Sequence, residues 1–238
     1  MTSRFSNTAK IICQARHLAS LELVIDSQPD KQWYKDVAVA AGYAKSLTEV
    51  IWNGYREYSL EKNEMELEWL AHFPQRALTH LNFKSASPKL DAHLVAIVEA
   101  CPLESLRLCV KIESDAFVRL VEACQKKETL THLDLCMVET KANSETKTAV
   151  AKFVEVVMAN EFERADGLSY FGFHPQVSAM TPVSIKLLSN SFHLVNIGSR
   201  SALGPQTMTR PLQATLRRNL KRRKTLQDWS RLVEEDDD

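Results

Sequence analysis

The chain has 238 residues, 45% of them hydrophobic and 25% charged, with Lys plus Arg equal to Asp plus Glu at 30 each. Those proportions are average for a globular protein and allow a sizeable core without disulfide or metal staples. The formal net charge of zero is not the basic surplus of a nucleic-acid-binding domain, so no nucleic-acid partner is expected.

No run approaches the ~18 consecutive apolar residues of a membrane-spanning helix, and no membrane contact is expected. The opening MTSRFSNTAKIICQARHLAS lacks the apolar stretch of a secretory signal. The five cysteines, Cys13, Cys101, Cys109, Cys124 and Cys136, are odd in number and have no close pairing. That suits reduced thiols better than a disulfide framework. The expectation is a cytoplasmic protein in a reducing compartment; signal-independent secretion into a host cell and nuclear entry through Lys221–Lys224 stay open.

In chain order, residues 1–17 are expected to form an N-terminal cap, with Ile11, Ile12 and Cys13 making the apolar contact. A solenoid must cover the open edge of its first strand. Residues 18–224 hold a repeat. LTHL occurs at 78–81 and again at 130–133, and Leu103-Glu-Ser-Leu106-Arg-Leu108 has the same L-x-x-L-x-L frame. Four further copies are Leu18/Leu21/Leu23, Leu47/Val50/Trp52, Leu168/Phe171/Phe173 and Phe192/Val195/Ile197. The copies begin at 18, 47, 78, 103, 130, 168 and 192, so the intervals are 29, 31, 25, 27, 38 and 24. Segments 139–147 and 160–167 account for the long interval. Trp52 leaves open an irregular second copy.

Within each copy the last two apolar positions alternate with polar ones, as in a half-buried strand. A helical rhythm follows the strand. It is carried by Leu90, Leu94, Ile97, Val98 and Cys101; by Phe117, Leu120, Val121 and Cys124; and by Val150, Phe153, Val154, Val157 and Met158. Ser87-Pro88, Ser114-Asp115 and Ser144-Glu145 supply helix starts. HLVAIVEAC (93–101) and AFVRLVEAC (116–124) align without a gap. Cys101 and Cys124 fall in these apolar stripes and are expected in the core. Pro211–Leu220 reads as the helical half of a last repeat. It is followed by the basic run Lys221–Lys224 and by a tail, 225–238, whose acidic end is expected to be disordered. The basic run is a phosphate-binding patch or a solvated helix end whose cations complement the dipole.

Seven copies in one frame resemble leucine-rich repeats of the ribonuclease-inhibitor-like class, over roughly residues 18–220. The resemblance implies an α/β leucine-rich-repeat solenoid (horseshoe) of about seven strand–helix repeats, with a parallel sheet on the concave face. The family's asparagine at frame position 9 is replaced by Asp26, Tyr55, Ala86, Lys111, Val138, Gln176 and Arg200. The backbone of those turns must therefore be satisfied in another way.

Frame positions 3, 5 and 7 should face away from the helices. They are Ser20, Glu22, Val24; Glu49, Ile51, Asn53; His80, Asn82, Lys84; Ser105, Arg107, Cys109; His132, Asp134, Cys136; Tyr170, Gly172, His174; and Leu194, Asn196, Gly198. A protein partner is expected on this face, at His80, Asn82, Lys84, Ser105, Arg107, Cys109, His132, Asp134, Cys136, Tyr170 and His174. His80 and His132 stand two strands apart, at ~9.6 Å, close enough to flank a ligand group.

Cys109 and Cys136 occupy one frame position in adjacent copies. A thiol pair there is the only enzyme or sensor reading, since no compact four-ligand metal set forms with His132. The phosphate loop, H-E-x-x-H, C-x-x-C and G-x-S-x-G patterns are all missing from the sequence. The expected function is non-enzymatic protein binding by a monomer, without cofactor or metal. Two narrower forms stay open. Short degenerate repeats with an acidic tail resemble bacterial effectors that dock on host proteins. The segment Leu168-Ser-Tyr-Phe-Gly-Phe-His174 with the basic end resembles the closing repeat of tropomodulins, whose helical tropomyosin-binding half this chain lacks.

Overall fold

A computed structural model describes residues 6–24, 31–53, 77–85, 91–110, 114–137, 144–159, 168–174, 182–191, 193–194, 196–197 and 210–235. In chain order the elements are α1 (Asn7–Gln14), β1 (Ser20–Val24), α2 (Lys31–Tyr43), β2 (Glu49–Asn53) and β3 (His80–Ser85). They continue with α3 (Asp91–Ala100), β4 (Ser105–Val110), α4 (Ser114–Gln125), β5 (His132–Met137) and α5 (Ser144–Ala159). The last four are β6 (Tyr170–His174), α6 (Pro182–Ser189), β7 (Asn196–Ile197) and α7 (Arg210–Glu235).

Among the described residues the seven strands lie parallel in a single sheet, ordered β1 to β7 as in the sequence. Parallel neighbours need a crossover of a dozen or more residues, and α2, α3, α4, α5 and α6 lie in those between β1 and β2, β3 and β4, β4 and β5, β5 and β6, and β6 and β7. The result is an α/β repeat fold of leucine-rich-repeat kind.

The strand register is the repeat frame made physical. Leu21, Val50, Leu81, Leu106 and Leu133 are successive partners across β1 to β5, as are Leu23, Trp52, Phe83, Leu108 and Leu135. All ten are buried. Trp52 keeps the frame, with its ring stacked on Phe83 at 5.9 Å, so the second copy is regular. Val98, Phe117, Leu120, Val121, Phe153 and Val154 close the same core from the helices. Each such side chain contributes about 1.5–3 kcal/mol when fully buried.

The seventh copy departs from its expected frame. Tyr170 pairs with Asn196 and Phe171 with Ile197, so Asn196 stands at position 3 and Leu194 at position 1. Leu194 is fully buried, like Leu47, Leu78 and Leu103 at the same frame position. The frame starting at 194 places a leucine where every other copy has one. Phe192 and Gly198 lie outside the described residues.

The helix starts at Ser114 and Ser144 fall where expected, with Asp115 and Glu145 in the first turns complementing the helix dipole. Ser87-Pro88 and Leu90 lie outside the described residues, as do all seven residues at frame position 9. α2 stands where the strand–helix repeat implies a helix after the first strand, although no apolar rhythm singles out its residues. Its buried face is Val37, Ala38, Ala40, Ala41, small residues that give a weak apolar signal.

Within the first 17 residues, α1 packs on α2. Ser6 N donates to Asp36 Oδ2 at 2.8 Å and Trp33 Nε1 donates to Thr8 Oγ1 at 3.3 Å. Ala9 and Ile12 make the buried contact, whereas Ile11 and Cys13 are exposed. In an amphipathic helix Ile11 and Cys13 flank Ile12 by one residue, about 100° to either side, which turns both from the core.

Between repeats runs a ladder absent from the expected turn chemistry. The carbonyl of Thr48 accepts from the backbone N–H of Thr79 and of His80 and from Thr79 Oγ1. The carbonyls of Ala19, Glu104 and Thr131 each accept the same triple set from Thr48, Thr131 and Ser169 with their following residues. Frame position 2 is thus a hydroxyl stitch at the entry to the sheet. Its signal is the hydroxyl residue after the first leucine in LTHL, LTHL and LSYF, overshadowed there by the leucines themselves.

Candidate functional site

The helices cover one face of the sheet, and β1 shows the alternation plainly: Ser20, Glu22 and Val24 are exposed while Leu21 and Leu23 are buried. On the uncovered face the register sets His80, Ser105, His132, Tyr170 in one row and Asn82, Arg107, Asp134, Gly172 in the next. Lys84, Cys109, Cys136, His174 form the third row. Ten of the eleven expected partner residues are therefore brought to a single face in three rows, and Asp134 is the eleventh, with a qualification. It is on this face by register but buried, at 7% exposure, and so is not a contact surface itself. The side chains of Cys136 and His174 lie outside the described residues.

A groove of about 190 Å³ crosses four strands, lined on this face by Glu49, Ile51, His80, Asn82, Ser105, Arg107 and His132. His80 and His132 thus stand on the two sides of one hollow, separated by the strand that carries Ser105. Glu49 and Ile51 extend the hollow onto β2. Both belong to the face by sequence alternation, but neither is in the expected contact set, since the sequence leaves the register of the second copy open.

The charged centre of the face is an asymmetric ion pair. Arg107 Nε lies 3.2 Å from Asp134 Oδ2, with the arginine side chain 60% exposed and the aspartate side chain 10%. The carboxylate is held low against the sheet and fixes the guanidinium above it. Gly172, its partner on β6, offers no side chain, and Tyr170 and His132 stack as parallel rings with centroids 4.1 Å apart. Burial holds the His132 imidazole below its ordinary pKa, partly offset by Asp134, while Arg107 and His80 add to the lowering. Burial, then Asp134, pushes the Tyr170 phenol up. Thr79 Oγ1 and His80 Nδ1 are in hydrogen-bond contact at 2.9 Å.

This arrangement offers donors and acceptors of both charges on a rigid sheet. It suits recognition of a polar partner. Among the described residues no group of three or more His, Cys, Asp or Glu is placed to hold a metal ion. Cys109 and Cys136 are register partners, and Cys109 is half-buried. Cys101 and Cys124 are buried as expected. Burial pushes their pKa up to about 11 and about 12, which leaves them unreactive.

The basic run is not at a helix end. α7 continues to Glu235, so Lys221–Lys224 sit mid-helix and the dipole complement expected of them is not made there. Asp236, Asp237 and Asp238 lie outside the described residues. Among the described residues no helix is long and apolar enough to cross a membrane.

No protein-family model matches the chain, and no curated protein matches it either. Among solved structures it is similar to a tropomodulin C-terminal domain from Caenorhabditis elegans, at 8% identity and a TM-score of 0.40, over 94% of this chain and 98% of that one. It is also similar to the structure of leiomodin-1 actin-binding site 2, at 14% identity and a TM-score of 0.38, over 98% and 99% of the two chains. At those identities no side chain of this face has a counterpart to be carried over.

Proposed function

We propose that the chain is a non-enzymatic protein-binding module that docks its partner on the uncovered strand face. In this reading the seven strand units are ribonuclease-inhibitor-like leucine-rich repeats and the sheet is the concave wall of a horseshoe. The observation that carries the proposal is the groove from Glu49 to His132, with Arg107 braced at its floor by a buried carboxylate. Pre-ordering a long cationic side chain removes part of the entropy cost of binding, which favours recognition over solvation. Arginine anchors held in this way are common centres of interface energy.

The test is binding by the intact chain beside Arg107→Glu and Asn82→Ala, with unfolding curves as a control. Loss of a partner in both variants, without loss of fold, supports the strand face. Retention in both overturns it. Asp134 is unsuitable as a charge-reversal site because it is buried.

Actin is the partner in the name of the leiomodin-1 segment. It is the first specific protein to try, by pelleting with filaments, on the strength of the sequence resemblance at Leu168–His174. A host-directed effector role is the remaining form of the same reading, tested by translocation of a chain cut before residue 230.

A further inference from the structure

The basic run of α7 is accounted for neither by the helix dipole nor by the strand face. From Gly167 to Gln227 the sequence has nine Lys or Arg and no Asp or Glu. The formal net charge of zero averages over this stretch, and so does not speak against a nucleic-acid partner for it.

The helix turns these cations away from the repeats. Leu212, Thr215 and Asn219 are buried, and Asn219 Nδ2 donates to Ser191 O at 2.8 Å and to Leu194 O at 2.9 Å. At about 100° per residue that seam lies opposite Arg210, Arg217, Lys221 and Lys224, which fall within about 60° of one another. All four are exposed. No carboxylate stands on α6, or on α7 before Asp228, to neutralise them. Arg218 is engaged with Ser191 O at 3.2 Å and belongs to the docked side. The stripe from Arg210 to Lys224 runs about 21 Å at about 1.5 Å per residue.

A second feature selects the polyanion. From Leu220 to Thr225 every side chain is exposed, so over that turn and a half the helix is open all the way round. Lys221, Arg222, Arg223 and Lys224 follow one another at steps of about 100° and ring it with positive charge. A bilayer or the acidic face of a protein meets one side of a helix and leaves part of such a ring unused. A membrane-surface helix also lays down an apolar face, whereas Leu220 is the one exposed large hydrophobic side chain among the described residues of α7. The major groove of B-form DNA runs between two phosphate backbones. It is about 12 Å wide, and an α-helix with its side chains is about 10–12 Å across, so a ringed helix lying in it meets phosphates on both sides.

We propose that α7 binds the backbone of duplex DNA, with the turn Lys221–Lys224 in the major groove and Arg210 and Arg217 along a flanking strand. Phosphate contacts position a helix without reading bases, so the selectivity is for B-form geometry. The site is separate from the strand face.

Fluorescence anisotropy of the full chain with a labelled DNA duplex of about two turns, or about 20 base pairs, tests it. At about 0.15 M salt the dissociation constant should be about 1–100 μM, and log K should fall against log salt with a slope of about −4 to −5. Lys221→Ala/Lys224→Ala should make that slope shallower by about 2. Lys10→Ala/Lys152→Ala, which removes the same charge from exposed positions on other helices, should leave the slope unchanged, and so should Asn82→Ala on the strand face. An RNA duplex, whose deep and narrow major groove does not admit side chains, should bind about tenfold more weakly or worse. Circular dichroism checks that each variant is folded. Absence of DNA binding at that salt overturns the proposal. So does equal binding of the RNA duplex, or a slope that Lys221→Ala/Lys224→Ala leaves alone or that Lys10→Ala/Lys152→Ala lowers as much. Tighter binding to vesicles of anionic lipid than to DNA also overturns it and assigns the stripe to a membrane surface.

Discussion

Arg107 Nε lies 3.2 Å from Asp134 Oδ2 across β4 and β5, tying an exposed cation to a carboxylate that is nine-tenths covered. Exposed pairs contribute about 0–1 kcal/mol, whereas stripping the partner from a buried charge costs about 3–5 kcal/mol. With one end in water and the other out of it, Arg107→Ala is expected to cost between those limits, about 1–3 kcal/mol. Urea unfolding of Arg107→Ala, Asp134→Asn and the double variant measures it. A coupling energy near zero would mean that the aspartate is satisfied without the arginine.

The frame of the seventh copy makes a sharp contrast between two residues. Leu194 is fully buried and Val24 is 59% exposed, although sequence alternation puts both on the uncovered face. Leu194→Ala should cost about 2–5 kcal/mol, as for other large-to-small core changes. Val24→Ala should stay within about 0.5 kcal/mol, as for ordinary surface changes. Thermal unfolding of the two variants separates the frame starting at 194 from the one starting at 192.

The hydroxyl stitch at frame position 2 should be measurable one rung at a time. Thr79→Val and Thr131→Val each remove a single side-chain donor to a carbonyl that keeps its two backbone partners. A loss of about 0.5–1.5 kcal/mol per rung is expected, with the two adding, since another strand lies between them. Values near zero would make the threonines incidental to the sheet.

Acid should act through His132. Its folded pKa is held below 6.5, mainly by burial, so folding favours the neutral ring. The stability this brings is fully present above the unfolded pKa and is lost as pH falls through the folded one. Between about pH 7 and pH 5 the wild type should therefore lose more stability than His132→Gln. NMR titration of the His132 ring should give a midpoint below 6.5; a midpoint above it would reverse the sign.

Thiol chemistry offers an independent check on the core. At pH 8, pKa values of about 11 and about 12 leave roughly one thiolate in a thousand for Cys101 and one in ten thousand for Cys124. Both should alkylate far more slowly than the exposed Cys13 in the folded chain and at ordinary rates in urea. Fast labelling of Cys124 in the native state would contradict the packing of α4.

The central repeats are legible in the sequence because leucine at positions 1, 4 and 6 reports burial directly: Leu103, Leu106 and Leu108 sit where the frame puts them. Position 194 is not, because Phe192 offers a second apolar residue two places earlier, and period-2 alternation cannot distinguish frames that differ by two. α2 escapes notice because its buried face is mostly alanine. The strand-face rows follow from alternation alone. The burial of Asp134 does not, since it depends on what stands on both neighbouring strands: an arginine on one and a glycine on the other. The extent of α7 is hidden by composition, as a basic run beside an acidic one reads as a solvated tail.

Docking on the strand face stands or falls on a binding comparison between the two sides of the fold. Arg107→Glu alters the uncovered face, and Lys152→Glu reverses an exposed charge on α5 on the helical side. Partner binding should be lost in Arg107→Glu and kept in Lys152→Glu, with both chains folded. Binding kept by Arg107→Glu and lost by Lys152→Glu would place the docking surface on the helices and contradict recognition through the sheet.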